Sequence, residues 1–167
     1  MSDSPIRIRR AVARDVPSLL ELMHRLAEFE HYDDDFAVTT DTLIAQGFER
    51  KPPDFYAWVA EAPHETGVLL GMLVYYLIPF TFRARPTLYI KELYVGDTAR
   101  GRGIGEALMR AAAREAVAHG CASIKWQVAE WNTRARAFYE RLGAATDHVW
   151  VDYALNETAL RKLADES

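Results

Sequence analysis

A glycine-rich turn, Arg100-Gly101-Arg102-Gly103-Ile104-Gly105, stands between a strand pattern at residues 87–95 and a helical pattern at residues 103–119. Glycine permits positive φ angles and lets a ligand approach the backbone closely. The first turn of a helix leaves amide N–H groups unpaired, and together with the helix dipole these groups bind anions. Because two arginines add positive charge, we interpret the turn as a cradle for a pyrophosphate. Alternatively, the turn serves only to start the helix.

Two well-known nucleotide-binding motifs do not fit this turn. The dinucleotide fingerprint requires a glycine three residues after Gly103, where Glu106 stands instead. A P-loop requires Lys followed by Ser or Thr after the glycines, and the sequence has no such pair there. The turn is therefore expected to bind a phosphate-bearing cofactor of another kind.

The rest of the chain predicts one mixed α/β domain over residues 1–167. Strands are predicted where β-branched and aromatic residues concentrate, at residues 6–10, 55–62, 68–77, 87–95, 122–128 and 148–155. Helices are predicted at residues 15–30 with Asp15 as cap, 40–47 with Thr40 or Asp41 as cap, 103–119, 133–142, and from Asn156 onward. The first half of the sheet should be largely antiparallel, and a right-handed crossover should pair the strands at 87–95 and 122–128 in parallel.

Composition limits the class of protein. The 167 residues carry 20 basic and 24 acidic side chains, a net charge of −4, whereas proteins that bind duplex nucleic acid are normally basic. Nucleic acid is therefore not an expected partner. No apolar run approaches the ~20 residues of a membrane span, so a membrane is not an expected partner either. The lone Cys121 cannot form an intramolecular disulfide, which favours a reducing, cytoplasmic compartment. The five histidines show no metal-ligand spacing, and no metal is expected.

The turn and several other blocks together resemble the GNAT superfamily of N-acetyltransferases over residues 6–155. The strand at residues 89–95 followed by Arg100-x-x-Gly103-x-Gly105 is similar to the acetyl-CoA motif of that superfamily. Phe138-Tyr139 and Leu142-Gly143-Ala144 are similar to the later part of the pattern. Two blocks resemble the spermidine/spermine and thialysine acetyltransferase branch: Leu26-Ala27-x-Phe29-Glu30 and Ala129-Glu130-Trp131-Asn132.

The resemblance implies a GNAT-like fold, in which helices flank a mostly antiparallel sheet and a parallel strand pair surrounds the acetyl-CoA site. It also implies a homodimeric, acetyl-CoA-dependent N-acetyltransferase that acetylates a primary amine of a small cationic molecule, such as a polyamine or a lysine analogue. An enzyme for another amine (an amino acid, an aminoglycoside or a protein N-terminus) and a non-catalytic acyl-CoA-binding module are the alternatives. The implied cofactor-binding residues are Leu93, Tyr94, Val95, Arg100, Gly101, Arg102, Gly103, Ile104, Gly105, Asn132 and Arg136.

Tyr139 is the candidate general acid, matched to the family. A thiol such as that of CoA has a pKa near 8.5 and tyrosine a pKa near 10, so a nearby tyrosine can protonate a departing thiolate at little cost. Asn132, Arg136 and Tyr139 follow the spacing i, i+4, i+7 and share one helical face. The alternative is a half-buried aromatic residue without a catalytic role.

Glu92 is the candidate general base, and here the sequence departs from the branch. The branch usually carries a carboxylate where Lys91 stands, and this chain has the acid one residue later. A shift by one residue reverses the face of a regular strand, so Glu92 should lie on the side of Ile90 and Tyr94 unless a bulge redirects it. Alternatively, Glu92 only pairs with a surface cation.

An acidic segment lies at residues 28–35, with five acidic side chains and no Lys or Arg. Glu30 matches the substrate-side acid of the branch and follows the matched aromatic Phe29. We expect both residues to bind the acceptor, since several carboxylates converging on one cation are needed for selectivity. The alternative is a solvated helix end followed by an acidic loop.

Overall fold

The computed structural model describes residues 6–165, and the chain divides after Glu130 into two units. The first unit contains β1 (Arg7–Arg10), α1 (Val16–Glu30), α2 (Thr40–Ile44), β2 (Tyr56–Glu61), β3 (Leu69–Ile78), β4 (Thr87–Val95), α3 (Ile104–Ala118) and β5 (Ser123–Trp126). The second unit contains α4 (Thr133–Arg141) and α5 (Glu157–Asp165). None of the helices in the described part of the chain is long and apolar enough to cross a bilayer.

The five strands of the first unit form one mixed sheet in the spatial order β1-β2-β3-β4-β5. Neighbouring strands from β1 to β4 are antiparallel, and β4 pairs with β5 in parallel. Parallel neighbours require a crossover, and α3 supplies it between β4 and β5. The predicted mixed α/β architecture is therefore confirmed, including its single parallel pair.

The helix α1 covers one side of the sheet, which we call the α1 face. Leu19, Met23 and Leu26 of α1 recur at helical spacing and are buried. They pack in one cluster with sheet residues that include Met72 and Val74 of β3. Burial of each such side chain stabilises the fold by about 1.5–3 kcal/mol. This cluster fixes where the C-terminal end of α1, which carries Phe29 and Glu30, lies against the sheet.

The helix α3 lies on the opposite side of the sheet, which we call the α3 face. Glu115 of α3 forms an ion pair with Arg10 of β1. Arg10 also donates a hydrogen bond of 2.5 Å to the Tyr75 hydroxyl on β3. Tyr75 is fully buried, so β3 presents Tyr75 to the α3 face and the adjacent Val74 to the α1 face.

Arg9 of β1 holds two carboxylates beside the start of α1. Its guanidinium donates to Asp15 at 2.6 and 2.9 Å and to Glu61 at 3.0 and 2.8 Å. Asp15 is the N-cap residue of α1, as predicted, but its side chain makes no capping hydrogen bond: this fully buried carboxylate binds Arg9 and accepts a hydrogen bond from the Val12 amide. Pairing with Arg9 offsets the cost of burying the Asp15 charge.

Two predictions about local structure are wrong. The cap of α2 is Thr39, whose hydroxyl accepts from the Thr42 amide at 3.2 Å, and not Thr40 or Asp41. Residues 148–155 form no strand despite their β-branched and aromatic residues. A strand requires a neighbour for its backbone groups, and none of the described strands pairs with this segment. The helix predicted from Asn156 onward is confirmed as α5, and the Asn156 side chain caps it by accepting a hydrogen bond of 2.9 Å from the Ala159 amide.

Candidate active site

A bulge in β4 determines where Glu92 points. Ile90 pairs with Tyr75 and Glu92 pairs with Val74, so Lys91 is an extra residue without a direct partner on β3. Residues paired across a sheet lie on the same face. Ile90 therefore lies on the α3 face, and Glu92 lies on the α1 face with Val74. A regular strand would have placed Glu92 on the side of Ile90, and the bulge reverses this.

The Glu92 carboxylate is buried without being fully paired. Its Oε2 atom has no hydrogen-bond partner among residues 6–165. Burial raises the pKa of Glu92 to about 7, and the charge of Glu30 contributes to this rise, whereas Lys91 opposes it. A buried carboxyl with a pKa near neutrality and an unused oxygen can exchange a proton with a ligand.

Four residues interact electrostatically with Glu92 or with its neighbour Glu30, and we call the group formed by Glu30, Tyr32, Tyr76, Lys91 and Glu92 the Glu92 cluster. Burial raises the pKa of Glu30, and the positive charge of Lys91 lowers it. Burial together with the charges of Glu92 and Glu30 raises the pKa of Tyr32 to about 12. Both tyrosine hydroxyls of the cluster therefore stay protonated at neutral pH, because burial and Glu92 also raise the pKa of Tyr76.

Sequence reasoning identified Glu30 and Glu92 but missed Tyr32 and Tyr76. Tyr32 follows Glu30 within the acidic segment and joins the cluster where α1 ends at the left-handed His31. Tyr76 of β3 stacks on Tyr89 of β4 with ring centroids 6.4 Å apart. Tyr76 could have been identified from the pairing of two aromatic residues across neighbouring strands. That pairing is not visible when each strand is considered alone.

The edge of β4 opens immediately beyond this bulge. Pairing between β4 and β5 covers Thr87 to Ile90, and no described residue of β5 pairs with β4 after that point. The candidate cofactor residues Leu93, Tyr94 and Val95 lie in this part of β4, where β3 remains the only paired neighbour within the described sheet. An extended ligand can therefore form backbone hydrogen bonds with this edge.

The glycine-rich turn follows β4 and leads into α3. Gly101 and Gly103 have positive φ angles of 77° and 74°, and, apart from their adjoining residues, no atom lies within 4 Å of the position that a Cβ would occupy at either residue. The helix α3 begins at Ile104, and Gly103 offers no side chain to cap it. The amides of the first turn, including those of Ile104 and Gly105, are thus available to an anion. The turn fits a phosphate-bearing ligand.

The two arginines of the turn differ in their surroundings. Arg100 forms an ion pair of 2.8 Å with Asp97 and donates to the Val95 carbonyl at 3.3 Å. Its guanidinium also lies 5.5 Å from the Phe29 ring centroid and 5.9 Å from that of Tyr94. Arg102 is exposed to solvent. Arg100 thus links the turn to the end of α1, and Arg102 carries the exposed positive charge.

In the second unit, Arg136 and Tyr139 lie on α4 and Asn132 precedes the helix as its N-cap, so their spacing is that of one side of the helix. Asn132 caps the helix, since its side-chain oxygen accepts from the Ala135 amide at 3.1 Å. Tyr139 is half-buried, and its ring centroid lies 5.2 Å from that of Phe138. Within residues 6–165, no group of His, Cys, Asp and Glu side chains is arranged to hold a metal ion.

Comparison with known proteins agrees with this geometry. The Acetyltransferase (GNAT) family matches residues 16–144. Thialysine N-epsilon-acetyltransferase of Mus musculus is 32% identical over 166 residues, covering 95% of this chain and 96% of the relative. Spermidine/spermine N(1)-acetyltransferase-like protein 1 of Homo sapiens is 28% identical over 167 residues, covering 96% of this chain and 24% of that longer protein.

A solved structure shares the fold. The integron cassette protein VCH_CASS6, from the mobile metagenome of V. cholerae, superimposes with a TM-score of 0.78 at 24% identity and covers 96% of this chain and 98% of its own. Fold, family match and curated relatives agree with the resemblance inferred from the sequence. The chain belongs to the GNAT acetyltransferase family.

Proposed function

We propose that this protein transfers the acetyl group of acetyl-CoA to a primary amine of a small cationic molecule, such as a lysine analogue or a polyamine. One observation carries the proposal: the buried carboxylate of Glu92, with an unused oxygen, lies on the α1 face next to the open edge of β4. The mouse relative, a thialysine N-epsilon-acetyltransferase, supports an acceptor of this kind.

In this proposal Glu92 is the general base. An amine is protonated near neutral pH and must lose a proton before it can attack a thioester carbonyl. With a pKa of about 7, Glu92 is about half ionised at neutral pH and is a stronger proton acceptor than an ordinary carboxylate. Proton transfer occurs directly or through a water molecule. Glu30 and Phe29, at the end of α1, bind the acceptor.

Acetyl-CoA supplies the activated acyl group, and residues of β4 and α3 hold it. The backbone of Leu93, Tyr94 and Val95 pairs with the extended part of the cofactor at the open edge. The turn binds the phosphates through the backbone of Gly101, Gly103, Ile104 and Gly105, with charge from Arg102 and with Arg100 shaping the loop.

The second unit contributes the general acid in this proposal. Tyr139 donates its hydroxyl proton to the CoA sulfur as the C–S bond breaks, and Asn132 and Arg136 on the same face of α4 contribute to cofactor binding. The units before and after Glu130 then act as one acetyltransferase domain.

We also infer that the protein is a homodimer, consistent with the exposed apolar side chains of Val149, Trp150 and Val151. The single Cys121 is consistent with a reducing, cytoplasmic compartment. Light scattering tests the dimer directly.

The function is tested with an amine panel, acetyl-CoA and a readout of released thiol. The panel contains polyamines, lysine analogues and neutral amines of similar size. We expect thiol release with cationic amines and little with neutral ones. Equal turnover of both groups contradicts a cationic acceptor, and binding of acetyl-CoA without thiol release for any amine contradicts an enzymatic function.

A further inference from the structure

Two tyrosines lie on the α1 face beside Glu92. Tyr76 is two residues from Val74 on β3, and Val74 pairs with Glu92. Tyr76 and Glu92 are therefore diagonal neighbours on one face, about 7–8 Å apart and within reach of an aromatic side chain. Tyr89 of β4 pairs directly with Tyr76, and their nearly parallel rings have centroids 6.4 Å apart. We call Tyr76 and Tyr89 the tyrosine pair.

The tyrosine pair lies on the side of Glu92 away from the proposed cofactor edge. Along β4, Tyr89 precedes Glu92, whereas the open edge at residues 93–95 follows it. Further along β3, Ile78 falls on the same face by strand alternation and is 41% exposed. The tyrosine pair thus lies between an exposed end of the sheet and Glu92. An acceptor whose amine reaches Glu92, while acetyl-CoA occupies residues 93–95, extends its remaining atoms over the pair.

The tyrosine pair offers the acceptor an aromatic surface next to a carboxylate. Both tyrosines are half-buried, and Tyr76 packs against the apolar cluster of the α1 face. The Glu92 carboxylate attracts any ammonium, whatever the ammonium is attached to. The rings instead discriminate by the atoms that follow the amine, because methylene groups gain free energy on leaving water and an unpaired polar atom loses it.

We propose that Tyr76 and Tyr89 are specificity-determining residues that bind the aliphatic chain of the acceptor next to the reactive amine. The property that they select is an uninterrupted run of methylene groups, whatever charged group stands at its far end. This inference rests on the proposed function, since it concerns how the same site selects its acceptor.

The test compares two acceptors of equal length and charge. Cadaverine and bis(2-aminoethyl) ether each carry two primary amines separated by five chain atoms, and they differ only in the central atom, a methylene group or an oxygen. Burial of an unpaired ether oxygen against the rings should cost about tenfold in kcat/KM. We therefore expect the unaltered protein to prefer cadaverine by about this factor, measured by thiol release.

Variants of the tyrosine pair assign the preference to the rings. Tyr76→Ala and Tyr89→Ala should each remove most of the preference, and Tyr76→Phe should retain it because the ring remains. The ratio of the two acceptors is insensitive to a change at Glu92, since both lose their proton to the same base. Thermal unfolding and acetyl-CoA affinity report whether each variant is folded.

Tyr56→Ala is the matched control. Tyr56 of β2 is also a half-buried tyrosine in a stacked cross-strand pair, with its ring centroid 5.4 Å from that of Tyr75. Because Tyr75 lies on the α3 face, its partner Tyr56 lies there too, on the opposite side of the sheet from Glu92. Tyr56→Ala should therefore leave the preference for cadaverine unchanged.

The outcomes separate this inference from the proposed function. Equal kcat/KM for the two acceptors in the unaltered protein overturns the role of the tyrosine pair, even if a variant fails to fold. An unchanged preference in folded Tyr76→Ala and Tyr89→Ala overturns it as well, and in both cases acetyl transfer to amines stands. Absence of thiol release with every amine contradicts the proposed function itself, and with it this inference.

Discussion

At the scale of single residues, the surroundings of Glu92 determine the pKa of its carboxyl group. An exposed glutamate has a pKa near 4.3 and is a weak base. Burial on the α1 face and the nearby Glu30 raise the pKa of Glu92 to about 7, while Lys91 keeps it from rising further. These opposing effects bring the carboxyl to the range in which a general base is most useful at neutral pH.

Replacement of the carboxyl tests the role of Glu92. We expect Glu92→Gln to lower kcat/KM by about 100-fold or more, because an amide accepts no proton. In the unaltered enzyme kcat/KM should rise with pH through an ionisation near 7, and this step should be absent in Glu92→Gln. The control is Glu49→Gln, which alters an exposed glutamate. A retained ionisation near 7 in Glu92→Gln would assign it to another group.

Tyr139 is tested by removal of one hydroxyl group. Tyr139→Phe should slow turnover, by about 100-fold if the tyrosine is the proton donor, while acetyl-CoA affinity stays within about twofold. Stopped-flow thiol release measures the first quantity and calorimetry the second. Tyr153→Phe is the matched control, because Tyr153 is 95% exposed in the same unit. Unchanged turnover in Tyr139→Phe would remove its role as acid.

At the scale of elements, the two ends of α3 resemble each other in conformation and differ in proposed function. Gly103 precedes the helix with φ 74°, and Gly120 follows it with φ 66°. At both residues the space that a Cβ would occupy is open to 4 Å, so alanine would meet a backbone penalty and no clash at either site. Only the N-terminal end presents unpaired amides to an anion.

This pair of glycines separates stability from binding. Gly103→Ala and Gly120→Ala should each lower the free energy of unfolding by about 1 kcal/mol, because alanine is disfavoured at positive φ. Only Gly103→Ala should weaken acetyl-CoA binding, because it alters the turn that we propose to hold the phosphates. Denaturant unfolding and calorimetry measure the two effects. Equal loss of affinity in both variants would contradict a phosphate site at the turn.

At the scale of the whole molecule, the Arg9 network links β1, β2 and the start of α1. Hydrogen bonds from Arg9 and from the Gly67 amide lower the pKa of Glu61 to about 2. Burial alone would raise the pKa of Asp15, but its hydrogen bonds with Arg9 and the Val12 amide lower it. A carboxylate with a lowered pKa in the folded state stabilises that state when it is ionised.

Acid should therefore weaken the fold through this network. The stabilisation is complete above the ordinary carboxyl pKa of 4.5 and is lost as the pH falls towards 2. The free energy of unfolding, measured with denaturant at several pH values, should decline across that window. Arg9→Met should flatten the decline, whereas Arg161→Met, which removes an exposed pair with Glu157, should not. Equal slopes in the two variants would show that other carboxyls control acid unfolding.

The sheet, the parallel pair and the glycine-rich turn at the start of α3 were predictable because each depends on local pattern. Strand propensity, helix periodicity and the glycines of residues 100–105 all act over a few residues. The bulge at Lys91 was not predictable, since it depends on how β4 pairs with β3. The position of Asp15 at the N-cap of α1 was predictable, but the partner of its side chain was not, because Arg9 lies on a strand, outside the helix pattern. At residues 148–155 strand propensity was present, but none of the described strands pairs with them.

The bulge also affects how such enzymes should be sorted by alignment. In a column-by-column comparison, position 91 holds a lysine, and an automated rule that demands an acid there would classify the chain as inactive. The carboxyl group at position 92 nevertheless reaches the α1 face, because the extra residue moves the register by one. A comparison of related enzymes at the positions of β4 should therefore match side chains that lie on the same face of the sheet. Where a bulge adds a residue, an acidic residue in the adjacent alignment column should be accepted as the equivalent carboxylate.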